Sequence, residues 1–522
     1  MCKQTPQYYL IFMIKKQFKM KKIAKYILIG SLLMATISCS DYLDINTDPG
    51  VPQKTDAVNI LPPVLAQMVR GESRDARFIG RYIQNFNASN LSGGDQYERH
   101  GYLPSSDNMG EIWRSNYWSI GTNIDLMIDD ATSKGNWDIV GAAQAIRAWS
   151  FQTTTDYHGE IILKQVWEPN RYVFDFDTQE DVYAYVVKLC NEALVNLDRK
   201  DGIARLKTSD LVYQGDVAKW KRFVYATLAR NANHLSNKSS LYKPDDVIKY
   251  CDLALQANTD NFAVPHNGSN VADANYYGPI SNILAQFRPS TTIMKLVDGT
   301  TFGGVKDPRL AIMFAPSRDT VFRGLPMYTV DPNAANSTKR ILNVWGLEPG
   351  TAVGSTGRWI FADKAPHYIF TAAEMQFIKA EAAFRKNDKT LAFNAFKQGI
   401  TLHMQFCGVS AANITAYLAS VAVPQKGDDL KMSDIMQQKY IAMYGLGIIE
   451  TWVDLRRFKY DTNIYTTYVL PIGNQFFPDN NGKLAYRVRP RYNSEYVWNR
   501  ASLDKFGGNN IDYHTYETWI VK

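Results

Sequence analysis

Two clusters of neighbouring residues carry the groups that chemistry needs. Asp156-Tyr157-His158-Gly159-Glu160 sets a histidine between carboxylates, the side chains of general acid–base catalysis. Five contiguous residues cannot all face one substrate, and a glycine at that place caps a helix, so the cluster reads as a polar turn closing a helix. Trp452-Val453-Asp454-Leu455-Arg456-Arg457 offers two guanidiniums to a phosphate. An Asp–Arg pair pinning a helix end beneath a tryptophan explains the same residues. Asp44-x-Asn46-x-Asp48 has calcium-loop spacing, but Gly50 comes one place late and Thr55 stands where the bidentate acid belongs. No zinc, phosphate-loop or nucleophile-elbow motif is present. Of Cys190, Cys251 and Cys407, two fall on helix stripes, where a buried free thiol is the simpler reading.

Aromatic residues in polar loops have a clearer use. Tyr97, Tyr102, Tyr276, Tyr277, Trp345 and Trp359, with Asn90, are the candidate ligand-binding residues. A flat ring can take the C–H face of a sugar while neighbouring amides and guanidiniums take its hydroxyls. The competing reading packs each ring onto the scaffold. Trp113, Tyr117, Trp149, Trp220 and Trp452 sit at helical spacing and are expected in the core.

The elements that position these loops are helices. Asp177-Thr178-Gln179-Glu180 is a capping pattern followed by a stripe of Val182, Val186, Leu189, Ala193 and Leu197. Thr371-Ala372-Ala373-Glu374 opens another helix. Ala142, Ala143, Ala145 and Ala148 allow close helix approach. Trp220, Phe223, Val224, Thr227, Leu228 and Leu235 stripe a further helix, then Val247, Cys251 and Leu255 behind Pro244. Met432 to Tyr444 is one more. Adjacent helices on short polar turns predict a mainly α protein of stacked, degenerate tetratricopeptide-like hairpins, an α-α superhelix. Loop-rich insertions at about 85–112, 258–365 and 460–522 interrupt it, and loops of that length are commonly functional.

The 522 residues carry 58 Lys+Arg and 51 Asp+Glu. Seven of the lysines, and no other charge, lie in residues 1–38, which leaves 51 of each sign. The basic excess therefore predicts no nucleic-acid partner. Met20-Lys21-Lys22 is a basic start, Tyr26 to Ile37 a short apolar run, and Ser38-Cys39 a small residue before a cysteine. That pattern resembles a bacterial lipoprotein signal with Cys39 as the lipidated residue, although Thr36 stands where leucine is usual. Asp41 and Asp44 resemble a surface-export signal. The expected organisation is a signal peptide over 1–38 (with Met20 as the true start), a lipidated tether over 39–62, and one helical domain over 63–522.

In order along the chain, several motifs resemble the SusD/RagB family of outer-membrane nutrient-binding lipoproteins. They are Tyr42-Leu43-Asp44 with Asn46-Thr47-Asp48-Pro49, Arg147-Ala148-Trp149 leading to Asp156, and Gly215-Asp216 to Phe223. Asp307-Pro308-Arg309, Ala373-Glu374 with Lys379 to Ala382, Gln438 to Ala442, and Trp452 to Arg457 follow. Arg491-Tyr492, Glu495 and Asn499 close the series, with Asn493 where proline is common. The resemblance implies four degenerate tetratricopeptide hairpins and no catalysis; the residues themselves call for no metal or cofactor. It implies a lipid-anchored protein on the outer membrane that captures an oligosaccharide, or a peptide, and passes it to a SusC-like TonB-dependent barrel. Helices would face the barrel and loops the ligand. Two rival classes are a secreted all-helical glycoside hydrolase or lyase, which needs a pair of carboxylates across a cleft, and a tetratricopeptide adaptor, whose loops 85–112 and 258–365 would form no pocket.

Overall fold

The computed structural model describes residues 19–20, 55–88, 96–352 and 354–522. Cys39, most of the expected leader and tether, and Asn90 lie outside the described residues. Helix α1 (Ala57–Tyr82) starts behind Asp56, whose carboxylate accepts from the Val58 N–H at 3.2 Å. It begins inside the stretch expected as tether, and Pro62 and Pro63 lie within it. Prolines cost backbone hydrogen bonds there. The helix continues because Ile60, Leu61, Val64, Leu65 and Met68 are all buried, and tertiary packing outweighs local preference.

The next helical segment is α2 (Glu111–Arg114), a π-helical stretch Ser115–Thr122, and α3 (Asn123–Ser133). Then come α4 (Trp137–His158), α5 (Gln179–Asp198), α6 (Val217–His234) and α7 (Pro244–Leu253). From α3 to α7 each helix packs on the next. Thr178 and Asp216 cap α5 and α6 through their side chains, and Pro244 occupies the first turn of α7, as the sequence predicts. The α4–α5 contact is close because Gly141 leaves room: an added Cβ would lie 2.6 Å from Leu197 Cγ. The stripe residues Val182, Val186, Leu189, Ala193 and Leu197 are buried, as are Trp113, Trp149, Trp220 and Trp452. All three described cysteines are buried and unpaired.

After α7 the chain leaves the stack and returns to it. Strand β2 (Phe262–Val264) pairs antiparallel with β4 (His367–Phe370), so the segment between them departs and re-enters at one place. Inside that segment lie β3 (Phe287–Pro289), α8 (Thr291–Val297) and the single turn α9 (Leu310–Met313). The stack resumes with α10 (Ala372–Arg385), capped by Thr371 and packed on α7, then α11 (Lys389–Phe406) and α12 (Ala411–Leu418). α13 (Met432–Ala442) packs on α10 and α14 (Ile448–Arg457) on α1; α15 (Arg500–Asp504) is the last α-helix. The protein is mainly α, and residues 56–522 form one compact unit. Among the described residues no helix is long and apolar enough to cross a membrane.

Buried ion pairs tie the helices together. Arg457 pairs with Glu381 (2.9 Å) and Asp454 (2.6 Å), Lys439 with Asp454 (2.7 Å) and Glu450 (3.3 Å), and Arg230 with Glu374 (2.5 Å). His234 lies 3.0 Å from Glu450 and 3.2 Å from Asp156. Burial opposes its charge, but those two carboxylates outweigh it and raise its pKa to about 9.

Both chemical clusters of the sequence have structural roles here. His158 ends α4, Gly159 caps it with φ 85°, and the His158 Nδ1–H donates to the Val488 carbonyl at 3.1 Å. Burial lowers His158 to about 3, so it is neutral. The Arg456 guanidinium lies 3.9 Å over the Trp452 ring, and Arg457 takes Asp454.

Candidate functional site

The three long irregular stretches meet at one hollow of about 200 Å³. Asn87, Glu98 and Arg99 come from the first stretch, Tyr328 and Thr329 from the second, Asn474 and Gln475 from the third. β1 (Phe86–Ala88) pairs antiparallel with β3, which joins the first two stretches. Gln84 joins all three: its Nε2 donates to the Val469 carbonyl (2.7 Å), and its Oε1 accepts from Val469 N–H (3.0 Å) and the Thr292 hydroxyl (2.6 Å). Arg99 donates to the carbonyls of Asn474 and Phe476, both at 2.9 Å, and the Tyr328 hydroxyl to that of Val469 at 3.1 Å. Glu98 is held by Arg81 and by the Ala88 N–H at 2.8 Å. The lining is thus one tyrosine ring among amides, a guanidinium and a carboxylate. Such groups suit the hydroxyls and C–H face of a sugar.

The aromatics chosen from the sequence fall elsewhere. Tyr97 is 2% exposed, packed against Phe78 and under the Arg81 guanidinium. Tyr277 and Trp345 are buried together, the indole N–H donating to the Tyr277 carbonyl at 2.8 Å. Their faces are occupied by protein, because a large ring gains more from burial than its polar sequence neighbours suggest. Trp359 is half-buried and stacks on Tyr444 at 6.2 Å. Tyr276 is half-buried, with the Arg74 guanidinium 5.8 Å over its ring. Tyr102 is buried except where it lines a second, polar cleft of about 400 Å³ with Ser105, Asp479, Arg489, Tyr492, Tyr496, Arg500 and His514.

A third cleft, of about 490 Å³, is aromatic and belongs to the helical side. Trp113, Tyr117 and Trp118 come from α2 and its π-helical extension, Trp167 and Phe174 from the α4–α5 connection, Arg491 and Glu495 from the C-terminal stretch. Local structure fixes the tryptophans. Trp118 falls in the π-helical stretch, off the buried stripe, and is 68% exposed. Asp177 accepts from the Leu163 and Lys164 N–H groups (2.8 and 2.9 Å), which sets the course of the connection carrying Trp167. Gly121 admits the Trp167 ring, since a Cβ there would lie 2.6 Å from it. Burial raises the Glu495 pKa, although Asn499 donates to its carboxylate at 2.9 Å. Asn499 also holds Phe174 N–H at 3.1 Å, beside Trp498, which is 74% exposed. Sequence reading missed Trp118 and Trp167. Trp167-Glu168-Pro169-Asn170 has the aromatic-in-polar-turn pattern, but its connection is too short to count as a long loop.

A family profile, SusD-like_2, described as starch-binding and associating with the outer membrane, matches residues 49–469. The chain belongs to the SusD-like family. Solved structures share the fold of this SusD-like protein over nearly their whole length. A SusD/RagB family protein from Bacteroides thetaiotaomicron is 22% identical, covers 90% of this chain and 99% of its own, and superposes with a TM-score of 0.66. A chitin-binding SusD homolog from Flavobacterium johnsoniae is 18% identical, with 89% and 98% covered and a TM-score of 0.69. A further chitin-binding protein is 20% identical, with 90% and 100% covered and a TM-score of 0.69. No curated protein is a significant match.

Proposed function

We propose that this SusD-like protein captures an oligosaccharide at the hollow where its three loops meet, without turning it over, and delivers it to a SusC-like outer-membrane barrel docked on the helical side. The convergence of the three loops around Tyr328, Asn87, Arg99, Asn474 and Gln475 carries the reading. The family description and the chitin-binding relatives support an oligosaccharide as the ligand. The loop hollow, the polar cleft and the aromatic cleft are each lined by one carboxylate: Glu98, Asp479 and Glu495. Acid–base glycoside cleavage uses two, about 5–9.5 Å apart. A further hollow does gather Glu72, Asp156 and Glu450, but at about 20 Å³ it has no room for a sugar, so a binding protein is favoured over a hydrolase. Lipidation at Cys39 would hold the body at the membrane.

The exposed rings of Trp118 and Trp167, which line one cleft, support the docking side, because contiguous exposed apolar groups mark partner surfaces. Paired variants test both halves. Tyr328→Ala with Asn474→Ala is expected to abolish binding to a panel of starch and chitin oligosaccharides, as read by calorimetry, and to leave co-purification with the barrel intact. Trp118→Ala with Trp167→Ala is expected to do the reverse. Oligosaccharide binding that survives the first pair would refute the loop site. Barrel co-purification that survives the second would refute the docking side.

A further inference from the structure

The polar cleft shares no lining residue with the loop hollow or with the aromatic cleft, and its groups have no assigned use. Four arginines lie between residues 487 and 500. Arg487 pairs with Glu160, and Arg491 with Asp107 at 2.5 Å. Arg489 and Arg500, the two that line the cleft, have no carboxylate partner among the described residues. Asp479 is the single carboxylate in the lining and is itself unpaired, so the cleft carries one net positive charge. Arg489 is held ready. Its Nη2 donates to the Asn510 carbonyl at 2.7 Å, and its guanidinium sits 5.8 Å from the Tyr102 ring and 5.9 Å from that of Tyr496. A guanidinium fixed by carbonyls and rings keeps its full charge for an incoming anion.

The other wall is built on a fixed imidazole. Asn480 Nδ2 donates to the His100 and Lys483 carbonyls (2.7 and 3.0 Å), so its Oδ1 is the acceptor facing His514 Nε2 at 2.8 Å. The His514 proton is thereby assigned to Nε2, and Nδ1 is left as an acceptor. His514 is 1% exposed, and that Nδ1 has no partner. That nitrogen is closed off even to water, so the neutral imidazole shapes this wall and leaves the charge of the cleft to the arginines. Tyr492 and Tyr496 stack at 5.7 Å with 12° between their planes and present an aromatic surface on the same cleft.

We propose that this cleft binds an anionic sugar residue, its carboxylate or sulfate between Arg489 and Arg500 and its ring against the Tyr492–Tyr496 pair. Trigalacturonate, its methyl ester, a sulfated disaccharide and sodium sulfate are titrated into the purified protein. One or both anionic sugars are expected to bind, with affinity falling as salt rises, and the methyl ester to bind at least tenfold more weakly. Arg500→Gln, a change at an exposed side chain, is expected to weaken anionic-sugar binding at least tenfold with unchanged thermal unfolding. The Tyr328→Ala/Asn474→Ala variant is expected to leave it unchanged. Which anionic sugar binds separates carboxylate from sulfate recognition. The proposal fails if neither binds, if trigalacturonate and its ester bind equally, if sulfate alone matches the sugars, or if Arg500→Gln has no effect. Loss in the Tyr328→Ala/Asn474→Ala variant alone would move the acidic sugar to the loop hollow, overturning this site and leaving the proposed function standing.

Discussion

Glu72 shows how a single side chain couples this fold to pH. It sits in α1 near Arg230, with the His367 imidazole 4.0 Å away. Burial raises its pKa to about 8; Arg230 opposes the shift, and Glu374 and Glu450 add to it. The folded protein therefore keeps a proton that the unfolded chain releases near pH 4.5. Stability falls as pH rises through the window from about 4.5 to about 8. His234 acts in the same direction: the stability its ion pairs contribute is fully present below about 6.5 and is lost as pH rises through about 9. Glu72→Gln is expected to leave stability at pH 4 unchanged and to raise it at pH 9 by on the order of 2 kcal/mol, read from urea unfolding at the two pH values. At the same scale, Trp118→Ala is expected to leave the unfolding midpoint within the range of ordinary surface substitutions, about ±0.5 kcal/mol, because most of that ring faces outward. Residue roles were only partly legible. The sequence assigned His158 and Arg457 correctly to structure, because both lie where local rules for helix ends apply. It placed Tyr97, Tyr277 and Trp345 in reach of ligand because polar neighbours along the chain carry no information on what packs from 20 or 200 residues away.

Helices were legible where their ends and stripes are local. Thr178, Asp216 and Thr371 cap as their positions require, and the stripes behind them are buried. The start of α1 was not, because Pro62 and Pro63 read as a break and only the packing of Leu61, Val64 and Leu65 overrides them. What joins the helices is ionic as well as apolar. Arg457 on α14 reaches Glu381 on α10, and both are fully buried. Arg457→Met is expected to destabilise by about 3–5 kcal/mol, since the buried Glu381 is left with only the partly exposed Arg385 to balance its charge. Combining it with Glu381→Met is expected to recover most of that loss, as a double-mutant cycle by thermal unfolding will show.

At the scale of the molecule, the three loops and the stack are one structure. Gln84 reaches both α8 and the C-terminal stretch from the end of α1. Gln84→Ala is expected to cost about 1–3 kcal/mol by leaving buried groups unpaired, and to weaken oligosaccharide binding without touching the ligand. Calorimetry beside a melting curve separates the two effects. The sequence announced three irregular stretches but not their meeting, because β1 and β3 are three residues long and about two hundred apart, too short for any periodic signature.

The β2–β4 ribbon has a consequence of another kind. Val264 and His367 face each other across it, so the chain between them goes out and comes back through one narrow doorway. A segment mounted in that way resembles a cartridge. It is pinned at a few inner points, since Thr292 and Arg309 within it bond to Gln84, His403 and Gln438 outside it, so insertions are absorbed between those points while the helices on either side keep their register. Change in such a segment is expected to gather in its outer turns, with Thr292 and Arg309 held as the rivets of the cartridge.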